Sequence, residues 1–125
     1  MTTATAELVT TRRLLEAADT DIAAFFAFFS EDCVFRMANN EIVVGRDNIQ
    51  AWVANYLGSV AGMQHVIFEE FTAGDVTAIY LDVTYTMQNG ETFTLPAMTR
   101  TRVKDDKVIE YLIFMDPSPV VAASS

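Results

Sequence analysis

Apolar positions follow helical spacing through the first half of the chain and form strand-like runs through the second. That is the pattern of an α+β domain with helices on one side of an antiparallel sheet. Residues 5 to 18 carry Leu8, Leu15 and Ala18 at helical spacing, and Ala17-Ala18-Asp19-Thr20 reads as a break. In DIAAFFAFFS, Ile22, Phe25, Phe26 and Phe29 share one face at i, i+3, i+4 and i+7, the stripe of a short second helix facing the core. CVFRM reads as a strand, ANNE as a turn and IVV as a short strand ending at Gly45. A third helix then starts with Asp47 as N-cap and Gln50 as its capping-box partner, burying Ile49, Val53, Tyr56, Leu57 and Val60. Trp52 lies at the edge of that stripe, where it either finishes the core or lines a cavity.

Three long strands follow, and their turns predict the register. After HVIFEEF and a break at Ala73-Gly74-Asp75 comes VTAIYLDVTYT, then Asn89-Gly90, which favours a two-residue type I′ turn. Gln88 then faces Glu91, Asp82 faces Ala97 and Tyr80 faces Thr99. A second tight turn at Asp105-Asp106 sets Lys104 opposite Lys107, Ala97 opposite Phe114 and Leu95 opposite Asp116. This register puts Tyr80, Asp82, Leu95, Phe114 and Asp116 on one face. The other face receives Ile79, Leu81, Val83, Tyr85, Met98, Tyr111, Ile113 and Met115, an apolar patch suited to a homodimer interface. A bulge at Pro96 would turn some of these positions over and bring Arg100 into the pocket.

Asp82 and Asp116 carry the candidate chemistry, because both lie in apolar strand runs, where an unpaired carboxylate is costly. One intervening strand would separate them, with backbones on the order of 10 Å apart. Two carboxylates in a dry pocket raise one another's pKa, making one an acid and the other a base. The competing structural reading is that Asp116 organises the turn at Pro117 and that both acids accept backbone hydrogen bonds. The sole histidine, His65, is either an acid–base group of the pocket or an ordinary half-buried strand residue.

Composition narrows the function classes. The length of 125 residues is that of one domain, read here as spanning 1–125. The net charge of -9, without any Lys/Arg cluster, disfavours nucleic acid and anionic lipid as partners. No apolar run approaches the roughly 20 residues of a membrane span, and the start, MTTATAELVTTRR, has no leader pattern; no membrane association and a cytoplasmic location are expected. The lone Cys33 excludes an internal disulfide and, with one histidine, a Cys/His zinc site, so no metal is expected.

The aromatic second helix followed by SEDCVFRM resembles the nuclear transport factor 2-like superfamily, in particular its SnoaL-like and limonene epoxide hydrolase-like branches. So do VGRDNI, Asp82 eight residues before Gly90, and DKVIEYLIFMDPSP. The resemblance implies a cone-shaped fold with three N-terminal helices packed on a curved antiparallel sheet enclosing an apolar pocket, commonly as a homodimer through the outer sheet face. The two aspartates of the epoxide hydrolases fall on Asp82 and Asp116. Tyr80 stands where their arginine would be, and Phe35 and Met37 where their water-holding tyrosine and asparagine would be. The general-base and oxyanion-hole acids of the ketosteroid isomerases would fall on Met37 and near Met98. A SnoaL-like cyclase or isomerase remains the reading least disturbed by these departures.

Three functions are therefore carried forward. The first is a cofactor-independent cyclase, isomerase or epoxide hydrolase acting on a small, neutral, apolar molecule of polyketide, terpenoid or steroid type. Asp82 and Asp116 would be catalytic, and Tyr80, Phe35, Met37, Trp52, His65, Leu95 and Phe114 would bind substrate. The second is a non-catalytic pocket protein for the same ligands, and the third a dimeric interaction module.

Overall fold

The computed structural model describes residues 5–124; residues 1–4, the start of the segment read above for a leader pattern, and residue 125 lie outside the described residues. Helices α1 (Ala6–Thr20) and α2 (Ile22–Ala27) lead into β1 (Phe29–Met37), and the short β2 (Val43–Val44) precedes α3 (Arg46–Tyr56). Strands β3 (Val60–Ala73), β4 (Val76–Met87), β5 (Thr92–Lys104) and β6 (Lys107–Phe114) follow, and α4 (Ser118–Ala123) comes last among the described elements. The six strands make one sheet in the order β2-β1-β6-β5-β4-β3. It is not purely antiparallel as the sequence predicts, because β1 joins β6 in parallel. Beyond the three expected helices the described residues include α4, which follows β6.

The break in the N-terminal helices falls at one residue, Asp21, which is extended at φ -156. Its backbone N–H donates to the Ala17 carbonyl at 2.7 Å, and its carboxylate accepts from Ala24 N–H at 3.3 Å. One side chain thus caps α2 where α1 ends. The aromatic stripe is shorter than its spacing suggests. Phe25 and Phe26 are buried on α2, Phe29 already belongs to β1, and Ile22 is 41% exposed. Gly45, at φ +98, starts α3 without a side-chain cap. Asp47 therefore sits inside the first turn and is not the N-cap; the turn into the helix needs a backbone conformation that only glycine adopts freely.

Two core clusters lie between helices and sheet. One gathers Phe25, Phe26, Phe29, Cys33, Phe35, Ile49, Val53 and Tyr111 beneath α1, α2 and α3. The other gathers Leu15, Ile79, Leu81, Val83, Tyr85 and Ala97 with Val120 of α4. Each full burial of such a side chain is worth about 1.5–3 kcal/mol. A buried hydroxyl pair, Thr11 to Thr101 at 2.6 Å, fixes α1 over β5.

The β4–β5 register differs by one residue from the turn-based expectation. Asn89-Gly90 does not make a two-residue turn: Met87 N–H donates to the Glu91 carbonyl, and of the pair only Gly90 takes a positive φ, +91. Asn89 Oδ1 accepts Glu91 N–H at 3.0 Å, an Asx contact that favours the longer loop. Asp82 consequently faces Pro96, and Tyr80 faces Met98. The Asp105-Asp106 turn does set Lys104 opposite Lys107, with both aspartates at positive φ. An irregularity between Arg102 and Val103 then shifts the pairing, and Phe114 faces Met98 instead of Ala97. No bulge occurs at Pro96, whose β4 pairing is continuous. Pairing of β5 with β6 begins only at Met98, so on that side the missing N–H of Pro96 breaks no ladder.

The shifts turn β5 over relative to β4 and β6: Leu95, Ala97 and Thr99 face inward as expected, but now beside the odd-numbered residues of β4 and β6. Ile79, Leu81, Val83, Tyr85 and Tyr111 are buried under the helices and do not form an outer patch. The outer face carries Met98 and Arg100, as expected, but with them Tyr80, Asp82, Pro96, Leu112 and Phe114.

Candidate active site

The inner face of the sheet, the end of α1, α2 and α3 border two adjoining cavities that share Ala18, Ile22, Val53, Leu57 and Met63. The outer part is an open cleft of about 480 Å³ bordered by Asp19, Thr20, Asp21 and Gln50. The inner part is a narrow chamber of about 50 Å³, lined by Phe25, Phe35, Met37, Trp52, Tyr56, His65, Tyr85 and Tyr111.

Asp19 borders the outer part and His65 the inner one. His65 pairs with Val83, which places it on the inner face of the edge strand β3. Asp19 belongs to the last turn of α1, where the helix dipole disfavours a carboxylate. The strand compensates: Asp19 Oδ2 accepts His65 backbone N–H at 2.8 Å, and Oδ1 lies 2.5 Å from His65 Nδ1. The His65 and Asp19 side chains are only 11% and 19% exposed. A proton on Nδ1 held by the carboxylate leaves Nε2 as the free acceptor of a ring that borders the chamber. Histidine oriented by a carboxylate is a standard arrangement for a general base.

Phenols supply the remaining polar atoms. Tyr56 donates to the Tyr85 hydroxyl at 3.2 Å. Burial raises the pKa of both, and it raises that of Tyr111 as well, with the Asp19 charge adding to the effect. All three stay protonated at neutral pH, as hydrogen-bond donors inside an aromatic wall. Trp52 stacks on Tyr56 with ring centroids 5.5 Å apart and tilts against Phe35 at 5.5 Å. Cys33 is buried and its thiol is pushed up to about 12 by desolvation, an inert core position.

Of the residues singled out in the sequence, Phe35, Met37, Trp52 and His65 meet at the chamber. Leu95 faces inward but packs against the second core cluster, outside the chamber lining. Tyr80, Asp82 and Phe114 lie on the outer face, with Tyr80 37% and Phe114 54% exposed. Asp116 is exposed beyond the end of β6 and accepts Ser118 N–H at 3.0 Å. Its pKa is lowered by hydrogen bonds from the Ser118 backbone and side chain, as in an Asx turn before a helix. The two aspartates are therefore not brought together at the cavity. Arg100 pairs with Glu110 and also stays outside.

Sequence reasoning missed Asp19 and the three tyrosines. An acid in the last turn of a helix with no basic residue there was the available signal for Asp19. Its partner lies 46 positions away, which no local pattern encodes. Tyr85 and Tyr111 lie on the side of the sheet opposite Asp82 and Phe114, whose face the sequence reading turned inward; the register shift inverts only β5. Among the described residues, no group of three or more His, Cys, Asp or Glu side chains is placed to hold a metal ion.

A family model described as a SnoaL-like domain matches residues 11–111. The chain belongs to the SnoaL-like domain family. The matched stretch runs from α1 into β6 and includes Asp19, Tyr56, His65, Tyr85 and Tyr111. Solved structures share this SnoaL-like fold. A provisionally assigned SnoaL-like polyketide cyclase from Jannaschia sp. CCS1 superposes with a TM-score of 0.81 at 17% identity, covering 98% of this chain and 96% of that one. A hypothetical protein with a ketosteroid isomerase-like fold from Catenulispora acidiphila DSM 44928, in complex with trimethylamine, gives 0.77 at 20% identity over 90% and 89%. An LEH-like epoxide hydrolase of M. tuberculosis gives 0.79 at 12% identity over 94% and 87%. At these identities the likeness establishes the nuclear transport factor 2-like, ketosteroid isomerase-like fold. No curated protein matches the sequence.

Proposed function

We propose that this SnoaL-like chain is an acid–base enzyme acting on a small, neutral, largely apolar substrate, with His65 as the proton-transferring group and Asp19 as its orienting partner. The observation that carries the reading is the contact between Asp19, which borders the outer cleft, and His65, which borders the aromatic chamber. The outer cleft falls within the roughly 300–1,000 Å³ of small-molecule sites, and the chamber wall is nearly all apolar. The acidic balance of the chain suits a neutral substrate better than an anionic one. Cyclisation and isomerisation both need a proton moved at carbon, and neither requires a cofactor. The acid–base role moves from Asp82 and Asp116, as the sequence placed it, to this pair.

Deuterium incorporation into the methyl group of acetophenone in D2O tests the reading. The native protein should accelerate exchange. His65→Gln should lower the rate by about 10²- to 10⁴-fold, the usual contribution of a positioned base. Asp19→Asn should lower it less, and Asp82→Asn should leave it unchanged. Exchange that survives in His65→Gln at the native rate would remove the dyad from the mechanism.

The exposed outer face carries Phe68, Tyr80, Met98 and Phe114, between 37% and 54% exposed. This apolar surface supports association with a second copy of the chain through the outer sheet face.

A further inference from the structure

A separate cleft, of about 460 Å³, opens between α3, α4 and the loop that follows β1. It shares Trp52 and Tyr56 with the aromatic chamber, and no lining residue with the outer cleft that Asp19 borders. Its volume is that of a small-molecule site. Its lining differs from that of the neighbouring hollows in having no charged side chain. Asp19 and Asp21 border the outer cleft, and Arg36 and Glu110 border a groove over β1 and β6. A charged ligand would find no counter-charge beside α4, so the site suits a neutral one.

The polar residues of this cleft come from three segments and therefore approach a ligand from several directions. Asn40 lies in the loop after β1, Asn55 on α3, and Ser124 at the end of α4. Asn40 Nδ2 donates to the Met37 carbonyl at 2.9 Å, which holds the carboxamide and leaves its oxygen to accept. Ser124 Oγ donates to the Val120 carbonyl at 2.8 Å, so it too is left as an acceptor. The carboxamide of Asn55 and the indole N–H of Trp52 bond to no described residue, and both can donate. Trp52 is stacked on Tyr56 and tilted against Phe35, yet it is only partly buried, so some of its ring surface stays open.

We infer that this cleft binds a neutral polyhydroxylated ring, a glycosyl type of ligand. Hydroxyl groups both give and accept hydrogen bonds, which matches a mixed set of acceptors (Asn40, Ser124) and donors (Asn55, Trp52). The C–H face of such a ring is apolar and packs on an aromatic surface, the part given to Trp52. The inference does not depend on the role of His65, which borders the chamber and not this cleft.

The probes are the methyl glycosides of glucose, galactose, mannose and rhamnose, with cyclohexylmethanol as a ring of similar size carrying a single hydroxyl. Trp52 is the sole tryptophan, so its emission reports binding. At least one glycoside should saturate a change in that emission at millimolar concentration and bind about tenfold more tightly than cyclohexylmethanol, as one or two net hydrogen bonds allow. In NMR spectra the side-chain amide signals of Asn40 and Asn55 should move with it, while the ring signals of His65 stay in place. Asn55→Ala puts a stronger helix former into α3 and should keep the melting temperature. It should weaken that glycoside about three- to tenfold. No response to any of the four glycosides, equal binding of cyclohexylmethanol, movement of the His65 signals in place of the asparagine amides, or unchanged affinity in Asn55→Ala would each overturn the inference.

Discussion

Cys33 shows how burial sets chemistry at the scale of one residue. Its thiol keeps its proton up to about 12 in the folded protein, against an ordinary value of 9.0. Between those values the native state holds a proton that the unfolded state has released, so stability falls as pH rises through the window. Chemical denaturation followed from about pH 8 to 11 should show the loss, and Cys33→Ser should flatten part of it. Folded protein should also react slowly with thiol reagents at about pH 8. His65 and Asp82 make the complementary point about position. Each is a polar residue in an apolar run, and the sequence weighs them with Asp82 ahead. In the structure His65 faces inward against Asp19, and Asp82 faces outward. Residue type alone carried no information on which side of the sheet each would fall.

At the scale of elements, the turns decided where the strand-derived side chains went. The helix and strand segments were largely legible from apolar spacing, because period depends on the few residues nearest in sequence. The faces were not. Asn89-Gly90 can close a two-residue or a longer loop, and the choice inverts β5 relative to β4. Gly45 is a similar hinge, holding φ +98 where β2 turns into α3. Gly45→Ala should cost about 1–3 kcal/mol of stability through backbone strain, since the added Cβ would meet Asn48 Nδ2 only at an ordinary 3.5 Å. Urea denaturation reads the change. An unaltered midpoint would mean that the helix start relaxes to a conformation open to any residue.

For the whole molecule, the curved sheet has one face under helices and one face open. Phe68, Tyr80, Met98 and Phe114 on the open face leave an apolar surface in a chain of net charge -9, where like-charge repulsion would otherwise keep copies apart. Sedimentation should show a dimer at micromolar concentration, and Phe114→Asp should shift it towards monomer without altering acetophenone exchange. A monomer in the native protein at that concentration would remove the proposed interface.

The sequence by itself determined the fold class, most of the elements and an acidic chain without a membrane-crossing helix among the described residues. Its motifs also carried the resemblance that the SnoaL-like match bears out. Four residues of the aromatic chamber, Phe35, Met37, Trp52 and His65, were legible as well. The elements follow from local spacing, whereas Phe35 and Met37 follow from the resemblance, and Trp52 and His65 were each one of two readings. The tertiary structure alone decided the site, because Asp19 meets His65 through a contact between a helix end and an edge strand. It also decided which phenols reach the cavity, because the helices cover the face of β4 and β6 that carries Tyr85 and Tyr111.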